Sequence, residues 1–166
     1  MALLEWSDAL SLDLPLMDDT HHEFVELLAL VEAAPDATLR QAWQDLIDHT
    51  DGHFGQDDAW RQATRFASGN CHSMQHKVVL QVMREGAAMG ARGELEPIRQ
   101  MARELAVWFP QHAQAMDAAL ALHLRRAGFD PVTGQVHAPE ALPTELIHGC
   151  GGHCHESEPQ AEAASA

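Results

Sequence analysis

Twelve of the 166 residues are histidine, and imidazole is the commonest metal ligand among side chains. Helical periodicity sorts them by direction. His21 falls on one stripe with Met17, Phe24, Leu28 and Val31. His22 shares a more polar side with Asp18, Glu26 and Ala29 and is expected to face solvent. His53 and Asp57, one turn apart, lie on a stripe with Trp43, Leu46, Thr50 and Trp60. His72 and His76 line up with Val79 and Met83, and His112 with Leu105, Trp108, Ala115 and Ala119. Asp117 follows His112 by five positions, ~140° around an ideal helix, at the edge of that stripe. His49, one turn before His53, is either a partner to a ligand or a partly exposed ring; His123 reads as structural or surface.

A single inward histidine is ordinarily a hydrogen-bonded core residue, because a buried polar group needs only one partner. Five inward histidines with two inward acids are different. Seven polar groups in one core cost many kcal/mol unless something satisfies them together, and a metal centre does so. Histidine and carboxylate without thiolate suit iron, manganese or zinc. Seven ligands exceed what one ion usually takes, whereas two ions bridged by the two acids use them all.

Four long segments must position these groups. Ala and Leu are abundant, Tyr is absent and the dominant period is helical. An irregular arm from Met1 to about Leu16 precedes a first helix, about Asp18 to Ala33, capped by Asp18 or Asp19 and stopped at Pro35. The second is expected over about Asp36 to Phe66, ending in the turn cluster Ser68-Gly69-Asn70. The third covers about Asn70 to Met89 and stops in Gly90-Ala91-Arg92-Gly93. The fourth runs from about Leu95 to Ala127, with Pro97 in its first turn and Gly128 at its end. Pro110, inside it, removes a backbone donor and should kink it. Short links between long amphipathic helices give an all-α, up-down-up-down four-helix bundle.

The expected division is a bundle with its arm over residues 1–128 and a flexible tail over 129–166. That tail holds a separate cluster, His148, Cys150, His153, Cys154 and His155, whose thiolates and imidazoles fit a second metal. The chain carries 10 basic and 25 acidic residues, a formal charge of -15. Such a surface repels phosphate backbones and anionic lipid, so neither nucleic acid nor membrane is expected as a partner. No apolar run approaches the ~20 residues of a membrane span. The N-terminus lacks a basic leader, and three cysteines are no disulfide framework. Cys71 reads as a small apolar residue, and the cytoplasm is the default compartment.

Trp6, Met17-Asp18-Asp19-Thr20-His21, His53-Phe54-x-x-Asp57-Asp58, His72-x-x-x-His76 and Trp108-x-x-x-His112-x-x-x-x-Asp117 together resemble a bacterial hemerythrin. The resemblance covers about residues 4 to 127. It implies a non-haem di-iron centre with an oxo or hydroxo bridge. Carried over by position, His72, His76 and His112 hold one iron, His21 and His53 the other, and Asp57 and Asp117 bridge both. The second iron keeps an open position, where dioxygen binds and from which it leaves unchanged. Asp57 departs from the family pattern, which usually has Glu there; Asp is one methylene shorter. Asp58 points ~100° away and is not favoured as the ligand.

Trp43, Leu46, Trp60, Trp108, Phe24 and Leu28 are candidate lining, though most read better as ordinary core. The implied function is reversible dioxygen binding for storage, delivery or sensing, without enzymatic turnover. The alternatives are a di-iron enzyme acting on peroxide or nitric oxide, a protein of iron-sulfur cluster repair, or metal handling by the tail.

Overall fold

The computed structural model describes residues 2–66 and 71–145. Helix α1 spans Pro15–Ala33, α2 Asp36–Ala63, α3 Cys71–Ala91 and α4 Glu96–His112. One π-helical turn, Ala113–Asp117, joins α4 to α5, Ala118–Arg126. The chain packs α1 on α2, α2 on α3, α3 on α4 and α4 back on α1. This closed ring is the four-helix bundle that the apolar stripes require. No helix is long and apolar enough to cross a membrane among the described residues.

Helix α1 begins three residues before the expected start. Pro15 occupies its first turn, where a missing N–H costs nothing. Asp18 does not cap it. Its carboxylate instead accepts from Ser11 Oγ and the Leu12 amide, both at 2.7 Å, and ties the arm to the helix. Trp6 meets His22 edge to face at 5.3 Å, so the arm covers the outer side of α1. Helix α2 stops at Ala63 rather than Phe66. Arg65 takes φ +60 and the Phe66 amide reaches back to the Arg61 carbonyl at 2.8 Å, the hydrogen bond of a helix-ending motif. On the other side, Gly86 and Gly90 let α3 approach α4. A Cβ at Gly86 would lie 2.5 Å from Met101 Sδ, and one at Gly90 2.7 Å from Ile98 Cδ1.

Two apolar clusters fill the interior. One gathers Phe24, Leu28, Trp43, Leu46, Met83, Ile98 and Phe109 among others. The other holds Met17, Trp60, Leu120, Leu124 and Phe129. Along every helix the inward histidines fall between the two clusters or at their margin, so a polar layer divides the core.

Beyond α5 the chain folds back. Phe129 is buried and pairs with Val136 in an isolated antiparallel bridge. The His137 and Ala138 amides donate to the Gly128 and Ala127 carbonyls at 2.9 and 3.0 Å. Residues 129–138 therefore pack back on the end of α5. Cys71 is disulfide-bonded, which corrects its reading as a small apolar residue. The Ser68-Gly69-Asn70 turn and the cluster from His148 to His155 lie outside the described residues.

Candidate metal centre

Each of the seven site residues read from the sequence is buried: His21, His53, Asp57, His72, His76, His112 and Asp117. Helix α1 delivers His21 between Met17 and Phe24. Helix α2 delivers His53 and Asp57, with His53 Nε2 3.3 Å from Asp57 Oδ2. Helix α3 delivers His72 and His76 one turn apart. His22, on the polar side of α1, keeps a side chain 47% exposed.

The spacing of His112 and Asp117 is resolved by the backbone. The five residues Ala113–Asp117 form a π turn, closed by the Ala118 amide on the Ala113 carbonyl. Such a turn inserts one residue into the helical repeat. It rotates the register so that Asp117 faces the interior directly, not from the edge of the stripe. Ala115, expected on the inward stripe, is exposed, and Ala119 is only half-buried. Ala113, Asp117, Leu120 and Leu124 take the inward places. Pro110 lies just before this turn within α4.

Asp117 is the meeting point. Its Oδ1 lies 2.8 Å from His72 Nε2 and 3.2 Å from His112 Nε2, and its Oδ2 lies 3.2 Å from His21 Nε2. His112 Nε2 lies 3.2 Å from His72 Nε2 and 3.1 Å from His76 Nε2. Two groups result, each with its ligand atoms within 4.8 Å of one another: His72, His76, His112 and Asp117, and His21, His53 and Asp117. Asp57 touches His53 but belongs to neither group.

Many of these atoms lack a hydrogen bond. Both ring nitrogens of His21 and His53, both oxygens of Asp57 and Asp117, and Nδ1 of His76 are buried without a well-formed hydrogen bond among the described residues, for the close contacts are only those that the candidate ligands make with one another. At about 1–3 kcal/mol for each unsatisfied atom, the deficit rivals the ~5–15 kcal/mol net stability of a whole domain. A bound cation removes it. The 3.1–3.2 Å separations of the histidine Nε2 atoms are close to the ~3.0 Å between neighbouring nitrogens at right angles on a metal with bonds of ~2.1 Å. The donor set and its spacing fit metal ions.

Electrostatics keep His72, His76 and Asp117 in their binding forms. Burial, with the neighbouring His72 and His112, pushes His76 down to about 2, so it is neutral at any ordinary pH. Burial also lowers His72. For His53, burial pushes down, but the charges of Asp57 and Asp117 raise it overall. Burial alone would raise the Asp117 carboxyl; His112, His21 and His72 hold it well below the usual range. A neutral imidazole and an ionised carboxylate are the forms that ligate metals.

Several contacts at the site were not foreseen. The His112 ring donates from Nδ1 to Gln75 Oε1 at 3.2 Å, which leaves the Nε2 lone pair for a cation. Phe54 stacks on His76 at 3.8 Å and Trp108 on His112 at 4.4 Å. Phe109 meets His21 edge-on at 5.2 Å and stacks on Phe24. Of these rings only Trp108 and Phe24 stood among the candidate lining. Trp60 lies instead in the far cluster with Phe129, and Trp43 Nε1 donates to the Met83 carbonyl at 3.0 Å as ordinary core. Gln75 and Phe109 follow the helical repeat of α3 and α4, and the repeat was the available signal. His49 is half-buried with Nε2 on the Thr20 carbonyl at 3.1 Å. His123 bonds the Thr64 carbonyl at 2.9 Å and stacks on Phe66, a structural place.

Comparison with known proteins agrees with this geometry. Residues 12–124 match the family model of the hemerythrin HHE cation binding domain. A bacteriohemerythrin of Ralstonia nicotianae is 35% identical over 130 residues, which cover 78% of this chain and 95% of the relative. A bacteriohemerythrin of Stenotrophomonas maltophilia is 25% identical over 127 residues, covering 73% and 81%. No solved structure matches significantly. With a cation-binding family matched over the whole helical bundle and a buried His and Asp cluster at its centre, the chain belongs to the hemerythrins, among their bacterial members.

Proposed function

We propose that the chain binds dioxygen reversibly at a di-iron centre held by His21, His53, Asp57, His72, His76, His112 and Asp117. The observation that carries this reading is the asymmetry of the two groups around Asp117: three imidazoles on one side and two on the other. An iron on the poorer side would keep a coordination position for one small ligand. Two ferrous ions there would supply two electrons to dioxygen and recover them on its release.

The residues around the poorer side support binding over turnover. Phe109 and Phe24 seal His21 with stacked apolar rings. Exclusion of water slows proton delivery to a reduced ligand, and without protons the ligand leaves as it came. Gln75 holds the His112 ring in one tautomer, which keeps the richer side rigid. The net charge of -15 accords with a partner that is a neutral gas and not a nucleic acid or an anionic membrane. The cytoplasm is the proposed compartment; there the disulfide at Cys71 is open to reduction.

The test is anaerobic reduction of the iron-loaded protein, then addition of oxygen with the visible spectrum recorded, then removal of oxygen. A new charge-transfer band that disappears under vacuum supports the reading. Rapid irreversible oxidation with release of peroxide or water would show an enzyme instead.

A further inference from the structure

The metal reading leaves one buried cation without a role. The Arg61 side chain is 0% exposed. Its guanidinium pairs with Asp58 on the same helix and donates from Nη2 to Ser73 Oγ on α3 at 2.7 Å. Asp58 is 40% exposed, so water screens that partner while the guanidinium itself stays enclosed. A guanidinium keeps its charge under burial, and an enclosed charge acts over a longer range than a solvated one.

What that charge faces is the candidate centre. Arg61 follows Asp57 by one turn of α2, on the same face. Ser73, which holds the guanidinium at 2.7 Å, is the neighbour of His72 on α3, and Asp58, its counter-ion, lies 4.0 Å from His76 Nδ1. The carboxylates of Asp57 and Asp117 weigh on it alongside Asp58. One fixed positive charge therefore stands beside candidate ligands of α2 and α3.

We infer that Arg61 is a positioning residue that sets the reduction potential of the metal centre, its fixed charge favouring the reduced state. The inference rests on the di-iron reading. Oxidation adds positive charge to a low-dielectric interior, and a neighbouring cation opposes that addition. Such a residue would hold the iron ferrous between encounters with oxygen.

The experiment compares iron content and midpoint potential of the iron-loaded wild-type chain, Arg61→Met, Arg61→Lys and Asp58→Asn by anaerobic spectroelectrochemical titration. Arg61→Met is expected to shift the ratio of oxidised to reduced iron at least tenfold toward oxidised, about 59 mV downward for a one-electron step. Arg61→Lys, which keeps the charge, should stay near wild type. Asp58→Asn, which removes the counter-charge, should shift upward. A wild-type chain that takes up no iron overturns the di-iron reading and this inference with it. Normal iron content with Arg61→Met at the wild-type potential overturns the role of Arg61 alone, as do equal shifts in the Met and Lys variants. If Arg61→Met fails to fold, the uncharged Arg61→Gln decides, and an unshifted potential there overturns the inference.

Discussion

Both groups of imidazoles reach the carboxylate of Asp117, while Asp57 pairs with His53 and joins neither group. The two acids therefore differ in what they can tolerate. Asp57→Glu adds the methylene needed to reach past His53 toward the shared centre, at ~1–3 kcal/mol if the core is tight. Asp57→Asn keeps the shape but removes an anion that offsets buried cations. Iron retained after a chelator challenge should be at or above wild type for Asp57→Glu and well below it for Asp57→Asn; retention by the Asn variant would remove Asp57 from the ligand set. The same buried rings make the iron-free chain sensitive to acid. His49, His72 and His76 are all lowered in the fold by burial, whereas in the unfolded chain they protonate near 6.5. Their contribution is complete above pH 6.5 and is lost as pH falls below it, down to about 2 for His76. His53 is raised and acts oppositely, its contribution being lost as pH rises through its folded value. Asp117 is held low and is protonated only in strong acid. The three lowered rings outweigh one, so stability should drop by about 1.4 kcal/mol per net proton for each unit below pH 6.5. Urea unfolding of the iron-free chain should show a lower midpoint at pH 5.5 than at pH 7.5; the reverse order would contradict these shifts.

At the scale of elements, the π turn is what brings a carboxylate five positions after His112 onto the same face. Deleting Ala115, an exposed residue within that turn, should let the segment close as α-helix. The deletion removes the inserted residue, so the carboxylate comes four positions after His112 and stays on the same face. The expected result is unchanged far-UV helicity with iron retained, measured on one sample by circular dichroism and metal analysis. Loss of iron from the deletion variant would mean that the π turn itself is needed to bring the carboxylate to the imidazoles. The turn also marks where sequence reading stopped. The four helices and their seven buried polar groups were legible because hydrophobic periodicity reports burial wherever the repeat is constant. It failed at Ala115 and Ala119, where the repeat changes within a single turn and no residue type announces the change. It passed over Arg61, since an arginine on a helix is ordinarily solvated, and only the α3 packing that brings Ser73 to it shows otherwise. Asp18 has the right type and place for a cap, but the arm competes for its carboxylate through Ser11 and Leu12.

At the scale of the whole molecule, the segment after α5 was read as tail because Pro, Gly, Glu and Ala predominate there, and composition does not reveal one buried aromatic. Phe129 lies against Trp60 at a ring distance of 6.4 Å and closes the end of the bundle farthest from Phe24. Cys71 is one of three cysteines and is held in a disulfide; thiol titration of the unfolded protein should count fewer than three before reduction and three after.

Where the chain can be shortened follows from the same contacts. A chain ending at Glu145 keeps Phe129, its bridge to Val136 and the amides that close on Ala127 and Gly128. It loses the cluster from His148 to His155, with Cys150 and Cys154. A chain ending at Gly128 also loses the Phe129 ring and exposes Trp60. Emptying a site filled by a buried phenyl ring costs about 3–5 kcal/mol. All seven candidate ligands lie between His21 and Asp117, far from either cut. Both shortened chains should therefore hold the same iron per chain as the full protein. They should separate in stability, with the Gly128 chain unfolding at markedly lower urea than the Glu145 chain. Equal midpoints would show that residues 129–145 contribute nothing to the core. Loss of iron from the Glu145 chain would show that the centre needs residues beyond the bundle.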